Sequence, residues 1–583
     1  MKNHILNFSL ALFFMLLSYL SISQTKVQSH AFKAFEYTRE DIDYEKYFSS
    51  PKTPEAKNRN ITNKNYSGTN IPFLDIGTIV PNGGSLRSFQ GKVFKHEGDG
   101  LLWDVFEESP YQTSPPMLYY RFSWCTLEDN EGNYLFDEVL EPLLEKCVSN
   151  RARLSMGLLI NSYSTASEYA GFTKDDDGTV RKYSVPTYIF NHLQRSMHPM
   201  IKDDLYAHWW SANMDSPYLY KRFKAFVKAL NQWLKWNVTG TSIKRRDVIF
   251  AIEERYLGYW GEGGMRKETL PKTSLVNKYH NLVVSRFKDK IIIAPGQLLG
   301  HLPQVKDTYS GQEIVIMKSV YNMLSKGTRA GAIGLFRDSW GAYSYMYDII
   351  SKRVMMDKKG NIVPLALYLH ENTYAEGYNT GEFGFLQYEG RDGNEPYKAL
   401  YNSFKLMRMG GISVHNFSVT VMGGKNNHRL DPSPYYQRGR DMLSVTGYRI
   451  VMGTPEIIIN KNGTYTVNVP FSNIGTSRVF ADYYRPHLIV KDDKGDVIND
   501  FICSFDMRTV IPSENNNLGV YRSDESVVMS YTIPRIDKTF KHVDLYIRID
   551  DEKGIEYPMT LSNYGRFMEN NGGDGSYYLG ELK

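Results

Sequence analysis

Apolar positions in the central part of the chain follow two alternating spacings. Short uninterrupted apolar runs occur at residues 117–124 (MLYYRFSW), 247–253 (DVIFAIE) and 290–295 (KIIIAP), which is typical of strands buried on both faces. Residues 216–236 instead place an apolar side chain every three or four positions, which is typical of an amphipathic helix. Strand-like and helix-like segments alternate in this way as far as residue 417, and this order predicts parallel βα units.

The number of these units defines the expected fold. We count about eight units over roughly 300 residues, which is the size of a (β/α)8 TIM barrel. The predicted fold class is therefore α/β, with the barrel at residues 111–440. Residues 247–253 would form its fourth strand and residues 363–371 (VPLALYLHE) its seventh.

The pattern changes after about residue 445, where apolar and polar positions alternate with a period of two. The sequences NKNG and DDKGD separate these runs as hairpin turns would. We therefore predict a C-terminal antiparallel β-sandwich at residues 441–583. Because this part has no evident cluster of Trp for stacking on sugars, we expect it to support the barrel rather than to bind carbohydrate.

The N-terminal residues indicate export. Residues 1–23 combine an early lysine, an apolar run and small residues, which together predict a secretory signal peptide. Residues 24–110 read as a polar arm followed by short strands. No later stretch approaches the ~20 apolar residues that a membrane-spanning helix needs. We expect a periplasmic or extracellular protein without a membrane span.

Composition narrows the function classes. The net charge of +5 over 583 residues falls well short of the basic excess of nucleic-acid-binding proteins, so no nucleic-acid partner is expected. Three cysteines, Cys125, Cys147 and Cys503, do not make a disulfide framework and are expected to be buried thiols. Aromatic residues make up 14% of the chain, which suits either a β-rich core or surfaces that stack on sugar rings.

Common catalytic motifs are missing from the sequence. It contains no G-x-S-x-G, H-E-x-x-H or P-loop pattern and no C-x-x-C pair, and its 13 histidines lack the spacing of metal ligands. We therefore expect neither a metal nor a cofactor. Carboxylates at strand ends remain, and in a (β/α)8 barrel the catalytic residues stand at the carboxyl ends of the strands.

Two glutamates fit that placement. Glu262 follows the predicted fourth strand and Glu371 ends the predicted seventh, 109 positions later, or about 36 residues per βα unit. Two carboxylates across a pocket are the apparatus of glycoside hydrolysis, in which one donates a proton and the other attacks the sugar or activates water. Trp260 would raise the pKa of Glu262 by excluding water, as an acid requires, and Arg337 or His415 would keep Glu371 ionised.

Other carboxylates compete for both roles. Glu253 or Glu254 is an alternative to Glu262 as the acid, and Glu376 or Glu382 is an alternative to Glu371. A single glutamate at a strand end is more often solvated or ion-paired than catalytic, so the assignment depends on the joint spacing of the pair.

Further polar and aromatic residues fall at the predicted strand ends, where Arg, Asn and His would bind hydroxyl groups and Trp would stack on a sugar face. For each of them, core packing or a loop hydrogen bond is an equally good interpretation. The candidate substrate-binding residues are Tyr120, Arg121, Trp124, Asn161, Trp260, Arg337, Asp338, Trp340, His415 and Asn416.

Several motifs resemble known families. The stretch YYRFSWCTLEDNEGNYLFD resembles the opening motif of clan A glycoside hydrolases, notably the family 42 β-galactosidases. The stretch YLGYWGEGG resembles a segment of the bacterial barrel family known as domain of unknown function 4832. SFDMRTVIPSE and the closing LSNYGRFMENNGGDGSYYLGEL resemble that family's C-terminal motifs. The resemblance extends over roughly residues 70–583 in separated motifs.

This resemblance implies a clan-A-like barrel with an appended sandwich and activity on carbohydrate. It gives Glu262 the acid/base place and Glu371 the nucleophile place. The chain departs from the pattern at two positions: Gly261 stands where clan A enzymes carry Asn, and Gly263 stands where an aromatic residue is expected.

The sequence therefore predicts an exported, retaining glycoside hydrolase that acts on a β-linked poly- or oligosaccharide. We expect its substrate to be a galactose-containing or sulfated polysaccharide of algal type. The alternative is a non-catalytic glycan-binding protein that uses the same cleft. A purely structural surface protein is the third hypothesis.

Overall fold

The computed structural model of the chain describes an incomplete set of residues. For residues 117–120 and 337–340, and for the strands between residues 304 and 315 and between 353 and 413, only the backbone is described. The described residues are 117–149, 151–160, 171–203, 208–256, 261, 271–295, 304–306, 313–315, 327–340, 353–356, 362–364, 377, 379–383, 409–413, 447–448, 450–473, 475–512, 525–536, 540, 542–559, 561 and 575–582.

A parallel sheet forms the framework of the first half. Each of its strands pairs with the next one in chain order, which is the strand order of a (β/α)8 barrel. The parallel α/β architecture predicted from the sequence is therefore present, with seven strands among the described residues. These strands are β1 (Met117–Ser123), β2 (Arg153–Leu159), β3 (Ile249–Arg255), β4 (Ile291–Pro295), β5 (Gly334–Trp340), β6 (Asn379–Phe383) and β7 (Met409–Ser413).

Two long helices, α1 (Pro217–Trp233) and α2 (Thr273–Arg286), cover one face of this sheet. Helix α1 begins after Ser216, whose hydroxyl oxygen accepts the backbone N–H of Leu219, and a proline at the first helical position fits there without losing a hydrogen bond. No helix in the described ranges is both long enough and apolar enough to cross a membrane. Shorter helices span Trp124–Leu127, Phe136–Val139, Glu141–Ser149, Thr187–Gln194 and Arg245–Val248.

The two faces of the parallel sheet pack against different partners. Met156 and Ile252 share a large hydrophobic cluster with Phe223 of α1. Ile293 and Phe336 belong instead to a separate cluster that contains no helical residue. Because side chains alternate along a strand, this second face carries every other residue of each strand. We call it the inner face.

The strand count differs from the prediction. Residues 247–253 were predicted to form the fourth strand, but they lead into β3. Strand β3 pairs directly with β2, so it is the third strand of the described sheet. The segment predicted as the seventh strand, residues 363–371, begins in the short strand Ile362–Pro364. This strand pairs antiparallel with Arg353–Met356 in a different sheet. The strand three places after β3 is β6, which begins at Asn379.

Two small mixed sheets and a hairpin are separate from the parallel sheet. Of these strands, only Ile362–Pro364 overlaps a segment that was predicted from the sequence as a barrel strand. One sheet contains Gly171–Lys174, Val180–Tyr183, Trp209–Ser211 and Ile201–Asp203; the other contains Gln304–Lys306, Glu313–Val315, Arg353–Met356 and Ile362–Pro364; the hairpin is Glu128–Asn130 with Asn133–Tyr134.

The C-terminal region forms two antiparallel sheets around one hydrophobic cluster. Strand β10 carries the pattern that produces this arrangement, since every other side chain is buried along most of its length. The first sheet contains β8 (Ile450–Met452), β9 (Glu456–Ile459), β10 (Tyr465–Asn473) and β13 (Val527–Ile533); the second contains β11 (Tyr484–Asp492), β12 (Val497–Ile502), β14 (Val543–Asp551) and β15 (Tyr577–Glu581). A 3-10 turn lies at Met507–Thr509.

A buried ion-pair cluster joins this region to the parallel sheet. Arg153, the first residue of β2, is 2.5 Å from an Asp551 carboxylate oxygen and 2.9 Å from one of Glu556. Its guanidinium carbon lies 3.5 Å from the ring centroid of Tyr483. Phe480 joins the inner-face cluster of Ile293 and Phe336. The C-terminal region therefore packs against the parallel sheet.

Candidate functional site

A buried carboxylate and an arginine lie two residues apart on the inner face of β3. The Ser155 hydroxyl donates to Glu253 Oε1 at 2.8 Å, and Arg255 Nε donates to Glu253 Oε2 at 2.9 Å. Glu253 is fully buried, so its charge depends on these partners. Glu253 therefore acts as a structural anion that holds Arg255, and this disfavours its alternative role as the acid.

Two guanidinium groups approach the ring of Phe336 near the carboxyl end of the sheet. The guanidinium carbon of Arg255 is 3.4 Å from the ring centroid and that of Arg121 is 5.7 Å from it. A cation placed near an aromatic ring is attracted by the ring quadrupole. Among the described residues, the guanidinium groups of Arg121 and Arg255 and the carboxylate of Glu253 therefore meet on this part of the inner face.

Gly157 makes room for both arginines. A Cβ at this position would stand 3.0 Å from Cγ of Arg255 and 3.3 Å from Cγ of Arg121. The glycine lies opposite Arg121 in β1 and Glu253 in β3, so it occupies the strand between them. Its missing side chain allows the two long side chains to cross β2.

The backbone at residue 261, immediately before Glu262, requires a glycine. Its φ is +71°, a left-handed conformation that side-chain-bearing residues rarely adopt. A Cβ here would also stand 2.5 Å from Cβ and from the carbonyl oxygen of Arg255, and 2.7 Å from Leu159 Cδ2. Arg255 and Leu159 are the last residues of β3 and β2. The backbone immediately before Glu262 is therefore packed against the carboxyl ends of two strands.

Glu254 lies on the opposite side of the sheet. Its Oε2 atom is 2.7 Å from Nδ1 of His280 on α2, and both side chains are buried. Burial and the neighbouring Glu254 raise the pKa of Tyr256 well above its usual value, so the phenol stays protonated. Because Glu254 faces the helices, it does not share a pocket with the inner-face residues, which argues against it as the acid.

Trp124 is in the core. It is 2% exposed, and its ring centroid lies 5.7 Å from that of Phe223 and 5.5 Å from that of Phe226. Its indole N–H donates to Glu128 at 2.7 Å. The expectation that Trp124 stacks on a sugar is therefore corrected: the chain enters a helical turn at this residue and points the ring into the helix-covered core.

The remaining predicted residues are placed in part. Tyr120 lies opposite Met156 in the parallel sheet. Glu382 lies in β6 opposite Ser413, near the carboxyl end of that strand. Within β5 lie Arg337, Asp338 and Trp340. Outside the described residues lie Asn161, Trp260, Glu262, Glu371, Glu376, His415 and Asn416.

Sequence reasoning missed the inner-face group of Ser155, Gly157, Arg255 and Phe336. The available signal was Glu253-x-Arg255 inside an apolar run, because two residues two positions apart on a strand share a face. Opposite charges at this spacing are able to pair along the strand. Within the described residues, no group of three or more His, Cys, Asp and Glu side chains is arranged to hold a metal ion.

Comparisons with known proteins give only distant structural matches. No protein-family model matches the chain. No curated protein sequence matches it either. Among solved structures, an exo-β-1,4-mannosidase from Opitutaceae bacterium strain TAV5 is matched over 53% of this chain and 48% of its own length, with 13% identity and a TM-score of 0.29. The chain thus spans about half the length of that mannosidase.

A family 39 glycoside hydrolase from Bacteroides cellulosilyticus WH2 is matched over 66% of this chain and 73% of its own length, with 10% identity and a TM-score of 0.27. A penta-heme cytochrome c552 from Thermochromatium tepidum is matched over 28% of this chain and 45% of its own, with 11% identity and a TM-score of 0.12. Weak structural neighbours of the chain therefore include two glycoside hydrolases, at TM-scores too low to establish a shared fold.

Proposed function

We propose that this chain is an exported glycoside hydrolase that cleaves a β-linked glycan with two carboxylates at the carboxyl end of a (β/α)8 barrel. The observation that carries the proposal is the packing of Gly261 against Arg255 and Leu159, which fixes the residue before Glu262 at the ends of β2 and β3. The seven parallel strands in chain order support the barrel.

The topology supports a particular partner for Glu262. Strand β6 is three places after β3, the same interval that the sequence assigned to strands four and seven. Glu382 lies on β6, whereas the segment before Glu371 begins in a different sheet. An interval of three strands from Glu262 therefore favours Glu382 over Glu371. We propose Glu382 as nucleophile or base, and Glu371 as the alternative.

In the proposed reaction, protonated Glu262 gives its proton to the glycosidic oxygen while Glu382 attacks the anomeric carbon, and water then hydrolyses the glycosyl-enzyme. The leaving oxygen departs as a hydroxyl group, and Glu262 takes a proton from the attacking water. Retention requires the two carboxyl groups to be about 5–5.5 Å apart. Arg255 and Arg121 would orient hydroxyl or acidic groups of a substrate bound at the inner face.

The second candidate function is a non-catalytic glycan-binding protein. It is favoured by Gly261 in the place where clan A enzymes carry Asn, because a glycine offers no side chain to bind the sugar beside the acid. Both functions use the same inner face, and turnover separates them.

The test is a reducing-end assay on purified protein against a panel of plant and algal β-galactans, sulfated and not, with product chromatography. We expect the wild type to release oligosaccharides from one class of polysaccharide and Glu262→Gln to release none. Slowed migration of the protein in a gel containing one polysaccharide, without any cleavage by the wild type, would favour the binding protein instead.

A further inference from the structure

A groove runs along the solvent side of helix α2, away from the inner face. One part of it lies between α2 and α1, and the other lies between α2 and residues 327–329. Asn281 and Ser285 of α2 line both parts, so the two parts adjoin across the exposed side of this helix. From Ser274 to Ser285 the groove follows three turns of helix, or roughly 16 Å at 1.5 Å per residue.

The groove is strongly basic. Five cations line it, and no carboxylate does so among the described residues: Lys224, Lys278, Arg286, Lys288 and Arg329. None of the five takes part in an ion pair with any residue of the described ranges. The neighbouring carboxylate of Asp289 is bound by Arg246. A concave surface lined by one sign of charge concentrates its field and attracts the opposite charge.

The other lining groups suit a sugar. The Lys278 ammonium nitrogen lies 3.9 Å from the ring centroid of Tyr220, so an aromatic ring and a cation form one wall together. Asn281 and the exposed Ser285 lie on α2 where the two parts adjoin, and the Ser285 hydroxyl donates to the backbone carbonyl of Leu282 at 2.8 Å while its oxygen can still accept. Hydroxyl and amide groups are hydrogen-bonding partners for sugar hydroxyls.

The spread of the cations points to a polymer rather than a small anion. Lys278 and Arg286 are eight residues apart on one helix, or roughly 12 Å along its axis. A single phosphate or sulfate ion would reach only one end of this series. A chain that carries an acidic group on each repeat would reach both.

We propose that this groove binds a linear anionic polysaccharide, bearing sulfate or carboxylate groups, at a site separate from the catalytic carboxylates. This inference rests on the proposed function, which supplies the choice of a glycan. It adds that the glycan is acidic. The groove then holds the polymer on the enzyme while the inner face acts on one of its linkages.

The experiment is affinity gel electrophoresis with a sulfated galactan, its chemically desulfated form and single-stranded DNA as probes. The groove variant is Lys278→Glu/Arg329→Glu. The matched control is Lys461→Glu/Lys494→Glu, which makes the same change in net charge at exposed turns of the C-terminal region. We expect the groove variant to lose at least tenfold in affinity for the sulfated galactan and the control to stay within twofold.

Equal loss in both variants, no loss in either, or no binding by the wild type would overturn the proposal. DNA binding as tight and as groove-dependent as galactan binding would overturn the choice of a glycan. Thermal unfolding of each variant excludes misfolding as the cause. A wild type that binds the sulfated galactan through the groove but releases no product from it would refute the proposed catalysis and leave the groove standing.

Discussion

Gly261 lies directly against Arg255, so that a Cβ atom on residue 261 would stand 2.5 Å from the Cβ and from the carbonyl oxygen of Arg255. This contact joins the last residue of β3 to the residue that precedes Glu262. The left-handed backbone and the close contact together require a glycine at this position.

Replacing Gly261 with alanine should destabilise the protein by more than its backbone conformation alone explains. Gly240 offers a matched control, since its φ is +72° and no atom lies within 4 Å of a Cβ placed there. We expect Gly240→Ala to cost about 1 kcal/mol. Gly261→Ala should cost roughly 1–3 kcal/mol more because of the clash. Urea unfolding measures both, and equal losses would contradict the packing.

Removing Arg255 should leave Glu253 buried without its guanidinium partner. We expect Arg255→Met to lower the free energy of unfolding by about 3–5 kcal/mol, as for other broken buried pairs. The double variant Arg255→Met/Glu253→Gln should recover a large part of this loss, because the uncompensated charge is gone. A double-mutant cycle by urea unfolding measures the coupling. A double variant no more stable than Arg255→Met would contradict the role of Glu253 as a structural anion.

Removing Arg153 should weaken the contact between the parallel sheet and the C-terminal region. Arg153→Met breaks two buried ion pairs and should cost about 3–5 kcal/mol. Arg246→Met is the control, since the ion pair of Arg246 with Asp289 lies at the surface and should be worth about 1 kcal/mol or less. Similar losses from both would show that the interface contributes little.

The loss in Arg153→Met should depend on pH. Burial already raises the pKa of Glu556, and Arg153 opposes that rise. A raised pKa in the folded state contributes stability that is present at low pH and lost as pH rises through it. Without Arg153 the pKa rises further, so the variant should be closest to the wild type near pH 4.5 and furthest from it near pH 7.5. A pH-independent difference would contradict this.

Lys290 should make stability rise at alkaline pH. Burial lowers its pKa to about 8, and Asp289 offsets this only in part. Because the folded-state pKa lies below the unfolded value of about 10.4, the folded chain gives up this proton first, and stability increases as pH rises from about 8 to about 10. The gain over Lys290→Met across that range should be on the order of 2–3 kcal/mol. Parallel unfolding curves for wild type and variant would exclude the shift.

The sequence allowed most of the parallel strands to be located, because buried runs such as residues 249–255 are distinctive on their own, but it did not predict β6. The place of each strand within the sheet could not be predicted in the same way. Local patterns do not reveal that residues 171–211 form a separate sheet, or that Ile362–Pro364 pairs outside the parallel one. These are consequences of long-range pairing.

In the candidate site, too, features that depend on tertiary contacts could not be predicted from the local sequence. Arg121 lies within β1 beside the ring of Phe336, whereas a helical turn starts at Trp124 and rotates that residue into the core. The link between Gly261 and Arg255 depends on a left-handed backbone and a close tertiary contact, neither of which the local sequence specifies.

The most direct test of the account is the turnover number of three single variants on the polysaccharide that the wild type cleaves. We predict that Glu262→Gln and Glu382→Gln each lose roughly a thousandfold or more in kcat, while Glu371→Gln stays within tenfold of the wild type. Loss of turnover in Glu371→Gln with Glu382→Gln active would move the nucleophile to Glu371. Wild-type turnover in Glu262→Gln would contradict the central claim that this loop carries the acid.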